Sequence, residues 1–425
     1  MREIEIRPMR SRGEMRRFHL FGWTIYRDDP LWVPPLLPER MKITDPERGM
    51  FFERGEADFF AAFRDGGMVG TICVARDGKQ VEEIGRPEAI FGFFESIDDV
   101  RVAAALFDRA DAWARERGLT SLYGPFNLDY EDGYGILTDG RDRKPVILCG
   151  HTPAYYERLL TELGFEPARP GNIALAVDLE DPPPQLARLS RAADIARRRG
   201  RFRIRGADVK HWREEAIRVH HLLNNSLANT GEERIPWPME AVESLIRPVL
   251  KIADPDLVLF AERVGDEPPD GRDARGGSRH AGAGPVHGGG TRGPAADRAT
   301  VAAPRGPDGC HTVGWFAAIP NMNEIIEHLN GLRYPWDYLR VPWAYLHRPR
   351  CLAAKSLLVL PRYHASGAAA LLFDEMAKRA RRKKYSWIDL SLTSEANPQT
   401  PVIAERAGAV RYKRYQVYRR EVARG

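Results

Sequence analysis

The residues best suited to chemistry lie between Ser356 and Asn397. Four apolar residues of strand type, Leu357-Leu358-Val359-Leu360, run into Pro361-Arg362-Tyr363-His364-Ala365-Ser366-Gly367-Ala368-Ala369, where a helical pattern begins. A helix that starts at such a turn offers unpaired backbone N–H groups and the positive end of its dipole, which together attract anions. The small side chains of Ala365, Ser366, Gly367 and Ala369 let a phosphate reach that backbone. A plain strand–turn–helix with helix-forming alanines would read the same way. A second candidate is Glu95, which closes an apolar strand, Phe91-Gly92-Phe93-Phe94-Glu95. Burial there would lift its pKa toward neutrality. The other reading makes it the cap of a helix beginning near Asp98.

The elements that must position these groups are visible as patterns. A hairpin is expected from Ala57–Phe63 and Val69–Val74 around Asp65-Gly66-Gly67. Val102, Leu106, Ala110 and Trp113 share a helical face, and Gly118 stops that helix before Ser121-Leu122-Tyr123-Gly124-Pro125. Beyond the break Asp181-Pro182-Pro183-Pro184 the order repeats. Helices around 212–223 and 239–252 precede a hairpin at Leu257, then the strand at Leu357, a helix to about Lys384, the strand 387–392, a short helix and a closing strand-rich run from Val410. Two copies of one order argue for a duplicated α/β unit. The expected division is 1–180, a linker at 181–200, and 201–425.

One segment is out of character. Residues 265–309 hold 12 of the 38 glycines and no Leu, Ile, Met, Phe, Tyr or Trp. Such a stretch cannot bury enough apolar surface to offset the entropy of ordering. A disordered insertion over 265–311, at the tip of the second hairpin, is expected.

Composition excludes several classes. With 43% hydrophobic and 29% charged residues the chain reads as a soluble globular protein. No apolar run approaches the ~20 residues that span a bilayer, and Met1–Ile6 lacks a signal-peptide core, so a cytoplasmic location is the expectation. Cys73, Cys149, Cys310 and Cys351 are scattered, which argues against a metal site or a disulfide framework. The net charge of +5 is slight. The basic runs at Arg197–Arg201 and Arg379–Lys384 lack interleaved aromatics and read as solvated helix ends, not as a nucleic-acid surface.

The element order, with the turn at 361–369, resembles the GNAT (GCN5-related N-acetyltransferase) superfamily. The family signature Gln/Arg-x-x-Gly-x-Gly/Ala falls on His364-Ala365-Ser366-Gly367-Ala368-Ala369, with histidine departing at the first position. Phe91–Glu95, Gly124-Pro125-Phe126-Asn127, Thr152–Tyr156 with Gly164-Phe165, and Tyr412–Tyr415 with Tyr418 resemble a bacterial group of tandem GNAT-like proteins related to ceramide synthases. The resemblance implies an α/β (α+β) fold of two tandem domains, each a mixed, mostly antiparallel sheet flanked by helices. It implies acyl-CoA or acetyl-CoA as co-substrate, no metal, and acyl transfer to an amine. The amine could be a sphingoid-type lipid, a small molecule or a protein lysine; a non-catalytic ligand-binding module is the remaining alternative.

On this resemblance the CoA pyrophosphate goes to the backbone of Ala365, Ser366, Gly367, Ala368 and Ala369, with His364 as a donor and Asn397 nearby. An unpaired N–H at Val359 or Leu360 would polarise the thioester carbonyl. The first half lacks such a turn, since Asp98-Asp99 would repel a pyrophosphate, so one CoA site is expected, with the first half shaping the acceptor site or serving structure alone. Asp389 and Glu395 are the candidate bases. Ala404 stands where many members carry a tyrosine for the leaving thiolate; Tyr412 or Tyr415 could replace it, or serve only as strand residues. Glu95, Asn127, Tyr130, Glu131 and Ser391 are candidate acceptor contacts. Tyr334, Trp336, Tyr338, Trp343 and Tyr345 alternate with Arg333, Arg340, Arg348 and Arg350. This suits a peripheral membrane contact or lipid-lined cleft, or else a proline-broken core connection.

Overall fold

Val102, Leu106, Ala110 and Trp113, the four residues of one helical face, are all buried in a helix that runs from Val100 to Glu116. Asp99 caps it by accepting the Arg101 N–H, and Gly118 (φ 68°) turns the chain out of it. The computed structural model describes residues 3–82, 85–128, 133–226, 237–249, 254–265, 310–397 and 400–423. The expected insertion at 265–311 lies outside the described residues except at its two ends.

Before the proline-rich break the strands are β1 (Glu5–Pro8), β2 (Gly55–Arg64), β3 (Gly67–Asp77), β4 (Glu88–Ser96), β5 (Ser121–Gly124), β6 (Ile136–Asp139), β7 (Glu166–Pro167) and β8 (Asn172–Asp178). After it come β9 (Phe202–Gly206), β10 (Val258–Arg263), β11 (His311–Pro320), β12 (Cys351–Val359), β13 (Trp387–Asp389), β14 (Thr393–Ser394), β15 (Val410–Gln416) and β16 (Tyr418–Glu421). The longer helices are α1 (Arg12–Leu20), α2 (Leu37–Ile43), α3 (Val100–Glu116), α4 (Tyr155–Glu162), α5 (Pro184–Arg198), α6 (Trp212–Ser226), α7 (Met239–Val249), α8 (Ala368–Arg382) and α9 (Thr400–Arg406).

Both expected hairpins form, β2 with β3 and β10 with β11, each antiparallel. The strands gather into two sheets, ordered β1-β2-β3-β4-β5-β16-β7 and β6-β15-β8-β13-β12-β11-β10-β9, with β14 paired to β8. The break near Asp181 does not separate them. β8 precedes it yet lies between β13 and β15, and the last strand, β16, lies between β5 and β7. Each half thus lends its final strand to the other sheet, and β6 adds to the edge of the second. The expected linker at 181–200 is mostly the helix α5, whose Leu186, Ala193 and Ala196 are buried. A run with an apolar face can be covered, and α8 and α9 cover this one. One consequence is a core shared by the halves: Tyr415 and Val417 are buried with Phe59, Phe126 and Leu137 on the far face of the first sheet.

Candidate functional site

Two forks, one in each sheet, occupy corresponding places, and they differ in what fills them. In the second sheet β12 and β13 run parallel but pair only at Cys351–Ala353 with Trp387–Asp389, while β12 continues to Val359. It keeps its antiparallel pairing with β11 along its length, with a bulge that sets Lys355 opposite the Ala317–Ala318 step. Beyond Ala353 the strands part. The Leu360 N–H donates to Val313 O at 2.9 Å, so it is spent on the β11 side and does not face the fork as expected. Strand alternation then turns the Val359 amide toward the fork, where the Val359 carbonyl accepts from His364 Nε2 at 2.8 Å.

The turn that follows is built as a cradle. Gly367 sits at φ 91°, a left-handed conformation that side chains disfavour, and a Cβ there would come 2.8 Å from the Ala196 Cβ of α5. His364 N–H and Ser366 N–H close back on Pro361 O and Tyr363 O, and Ser366 Oγ donates to Tyr363 O at 2.6 Å. Among the described residues the N–H groups of Ala365 and Gly367 take no acceptor, and those of Ala369 and Ala370 belong to the open first turn of α8. Ala368 N–H reaches Ser366 Oγ at 3.3 Å. His364, expected to hold phosphate, is instead tied through Nε2 to a carbonyl. A carbonyl only accepts, so that nitrogen carries the proton.

At the apex of the fork a buried polar cluster forms. Asp389 accepts from Ser391 Oγ at 2.5 Å, Ser391 N–H at 3.2 Å and Tyr412 OH at 2.6 Å. Burial raises its pKa, against the pull of the Lys355 ammonium and of these hydrogen bonds. The Tyr412 ring lies between Trp387 and Arg143. Lys355 Nζ donates to Ile147 O at 2.7 Å, and Tyr415 OH to Gly150 O at 3.0 Å. Lys413, fully buried, donates to Gly140 O and Arg143 O, and burial pushes its pKa down to about 8. Burial pushes the neighbouring Cys149 thiol up to about 11, which keeps it protonated and inert. The segment 140–150, from the first half of the chain, therefore roofs the apex of the second half's fork.

In the first sheet β4 and β5 pair only at Glu88–Ile90 with Ser121–Tyr123. Here the gap is plugged. Phe126 N–H donates to Phe91 O at 2.8 Å, and Phe93 N–H to Asn127 Oδ1 at 2.8 Å. A Cβ on Gly92 would stand 1.7 Å from Phe126 O, so only glycine permits the approach. Asn127, an expected acceptor contact, fills the fork with its own carbonyl. The helix start is closed to anions as well, because Asp99 caps α3 and pairs with Arg64, while Asp98 pairs with Arg158.

Glu95 is not a helix cap. It accepts from Tyr156 OH at 2.6 Å, with Tyr26 OH at 3.4 Å, and burial pushes its pKa up to about 7. The Tyr26 hydroxyl also stands 3.1 Å from His151 O. Segment 147–151 thus touches the Glu95 group at one end and the Asp389 group at the other.

The remaining expectations divide. Glu395 is held by Arg414 at 3.1 and 3.2 Å. Asn397 N–H closes a turn on Ser394 O, and Ala404 is buried in α9. Tyr130 and Glu131 lie outside the described residues. Lys355 and Lys413 were missed, yet Lys355 is a lone charge within the apolar run Cys351–Leu360, a visible signal. The basic run at 379–384 is engaged with acids, Arg379 with Glu375 and Lys383 with Asp254. Among the described residues there is no cluster of metal-ligating side chains, and no helix is long and apolar enough to cross a membrane.

This architecture of two sheets with exchanged final strands is the tandem GNAT fold. The chain superposes on a tandem GNAT protein from the clavulanic acid biosynthesis pathway with a TM-score of 0.52, covering 100% of both chains at 12% identity. In sequence it is 25% identical to a protein of Caulobacter vibrioides named bacterial ceramide synthase, over 98% of this chain and 97% of that one. It is 24% identical to protein YghO of Escherichia coli, over 98% and 95%. No family model matches the chain.

Proposed function

We propose that the chain is an acyl-CoA-dependent N-acyltransferase with a single CoA site at the β12/β13 fork, and that its acceptor is the amine of a lipid. The contrast between the two forks carries the reading: beyond the second fork the turn leads through Gly367, at φ 91°, into a helix whose start carries no acidic cap, whereas the first is bridged by Asn127 and its helix is capped by Asp99. The turn at 361–369 would hold the pyrophosphate through the amides of Ala365, Gly367 and the first turn of α8. The Val359 N–H would hydrogen-bond the thioester oxygen as negative charge develops there.

Asp389 is the proposed base. An amine attacking the thioester forms a C–N bond, the C–S bond breaks with its electron pair leaving on the CoA thiolate, and the amine proton passes to the carboxylate. Its raised pKa suits that task, and Tyr412 and Ser391 hold it in place. The relative named bacterial ceramide synthase supports a lipid amine. A small-amine or protein-lysine acceptor would use the same machinery. The non-catalytic reading has one observation in its favour, the His364 ring held on the Val359 carbonyl.

Calorimetric titration with CoA, acetyl-CoA and palmitoyl-CoA, followed by thiol release in the presence of sphinganine or spermidine, separates these. One CoA per chain and palmitoyl transfer to sphinganine are expected. Binding without thiol release from any donor would leave the sensor reading. No binding would overturn both.

A further inference from the structure

Between β11 and β12 the chain runs through short helical turns from Asn323 to Ala344. Their inner face is a small core of its own, with Ile325, Leu329 and Ala344 buried against Leu36 and Val341. Glu324 ties the far end down by accepting the N–H groups of Arg350 and Cys351. The outer face is the reverse of what folding asks for. Among the described residues, seven of the fifteen exposed large apolar side chains fall between Tyr334 and Leu346, including Leu339 at 81% and Leu346 at 78% exposure. Trp336, Trp343 and Tyr345 stand beside them in the open.

The charges of this face have one sign. Arg340 and Arg348 are exposed, while the single acid between residues 333 and 350, Asp337, is fully buried and accepts the Tyr334 N–H at 3.0 Å. Tryptophan and tyrosine beside leucine, rimmed by arginine alone, match the boundary of an anionic bilayer: apolar bodies enter, aromatic tips stay at headgroup level, and guanidinium groups meet phosphate. An acidic protein would match the charges but not the exposed leucines, nor Trp336 stacked on Tyr334 and Trp343 set against His328 and His347 with their outer sides bare.

We propose that the outer face of residues 334–348 docks the protein on an anionic lipid surface, with Trp336, Leu339 and Leu346 entering it and Arg340 and Arg348 binding acidic headgroups. The inference deepens the lipid-amine reading and rests on it for its purpose. The placement fits: this face precedes the N-terminal end of β12, and the phosphate turn follows its C-terminal end. Nine residues of strand, roughly 30 Å, separate the docked end from the mouth that takes a water-soluble CoA.

Flotation of the full chain with vesicles of phosphatidylcholine alone, or containing phosphatidylglycerol, tests this in moderate salt. Co-flotation only with the anionic vesicles is expected. The triple variant W336S/L339S/L346S should lose at least tenfold in vesicle partition, and R340E/R348E should lose the preference for anionic lipid. Both should keep the wild-type melting temperature and CoA titration. Equal binding to neutral vesicles, or none to either, overturns the proposal. So does a wild-type dimer that the triple variant converts to monomer without any vesicle binding, since the face would then join two copies. Flotation without CoA binding would instead sink the acyltransferase reading and leave the surface standing.

Discussion

Tyr412, on β15, donates its hydroxyl proton to Asp389, at the end of β13, across 2.6 Å. The two strands are not neighbours, because β8 from the first half lies between them. The contact therefore reports on the strand exchange and on the proposed base at once.

Removing that donor should move the pH profile. A hydrogen bond to a carboxylate favours its charged form, so Tyr412→Phe raises the pKa of Asp389 further. The base must be deprotonated to work, and the ascending limb of kcat against pH shifts to higher pH. Asp389→Asn should lower kcat by roughly 10²-fold or more while leaving CoA affinity intact. An unmoved limb in the Tyr412 variant would remove Asp389 from the role.

The turn can be closed without unfolding the chain. Ala365 is exposed, so Ala365→Asp should leave the melting temperature alone and weaken CoA binding about tenfold or more by placing a carboxylate at the helix start. Gly367→Val combines a left-handed backbone with a clash on Ala196, and should cost about 2 kcal/mol or more of stability as well. Denaturant melts and CoA titrations read both. Unchanged affinity in the aspartate variant would move the cofactor site elsewhere.

Glu95 should make stability depend on pH. Its pKa is about 7 in the folded protein against 4.5 ordinarily, so the native state binds the proton more tightly than the unfolded chain. Stability from this group is full below pH 4.5, falls as pH rises toward 7 and is flat above. The span is at most about 3 kcal/mol. Glu95→Gln keeps the acceptor for Tyr156 without the titration. Its stability relative to wild type should rise by about 2 kcal/mol between pH 5 and pH 8. Parallel curves from urea melts would contradict the assignment.

The Asn127 bridge in the first fork should act on stability and not on CoA binding. Asn127→Ala strands the Phe93 N–H and should cost about 1–3 kcal/mol in urea melts. CoA stoichiometry should stay at one, and a second equivalent in the variant would be unexpected.

Much of the fold was legible because its signals are local. The face of α3, the Asp65-Gly66 hairpin turn and the small-residue turn at 361–369 are each set within about a dozen residues, where periodicity and turn chemistry act. The proline-rich run misled, since prolines at a helix start suit a first turn as well as a linker, and α5 begins there.

The small-residue turn at 361–369 and the aspartates at 98 and 99 can be read from the sequence alone, because glycine, alanine and aspartate act through their own backbone and charge. The surroundings of Asp389 come from long-range pairing instead. Lys355 meets Ile147 from 208 residues away, and Tyr415 meets Gly150 from 265. Those partners are chosen by which strands cross between sheets. No local period encodes that crossing, and none tells that Asn127 accepts from the Phe93 N–H or that Glu395 pairs with Arg414.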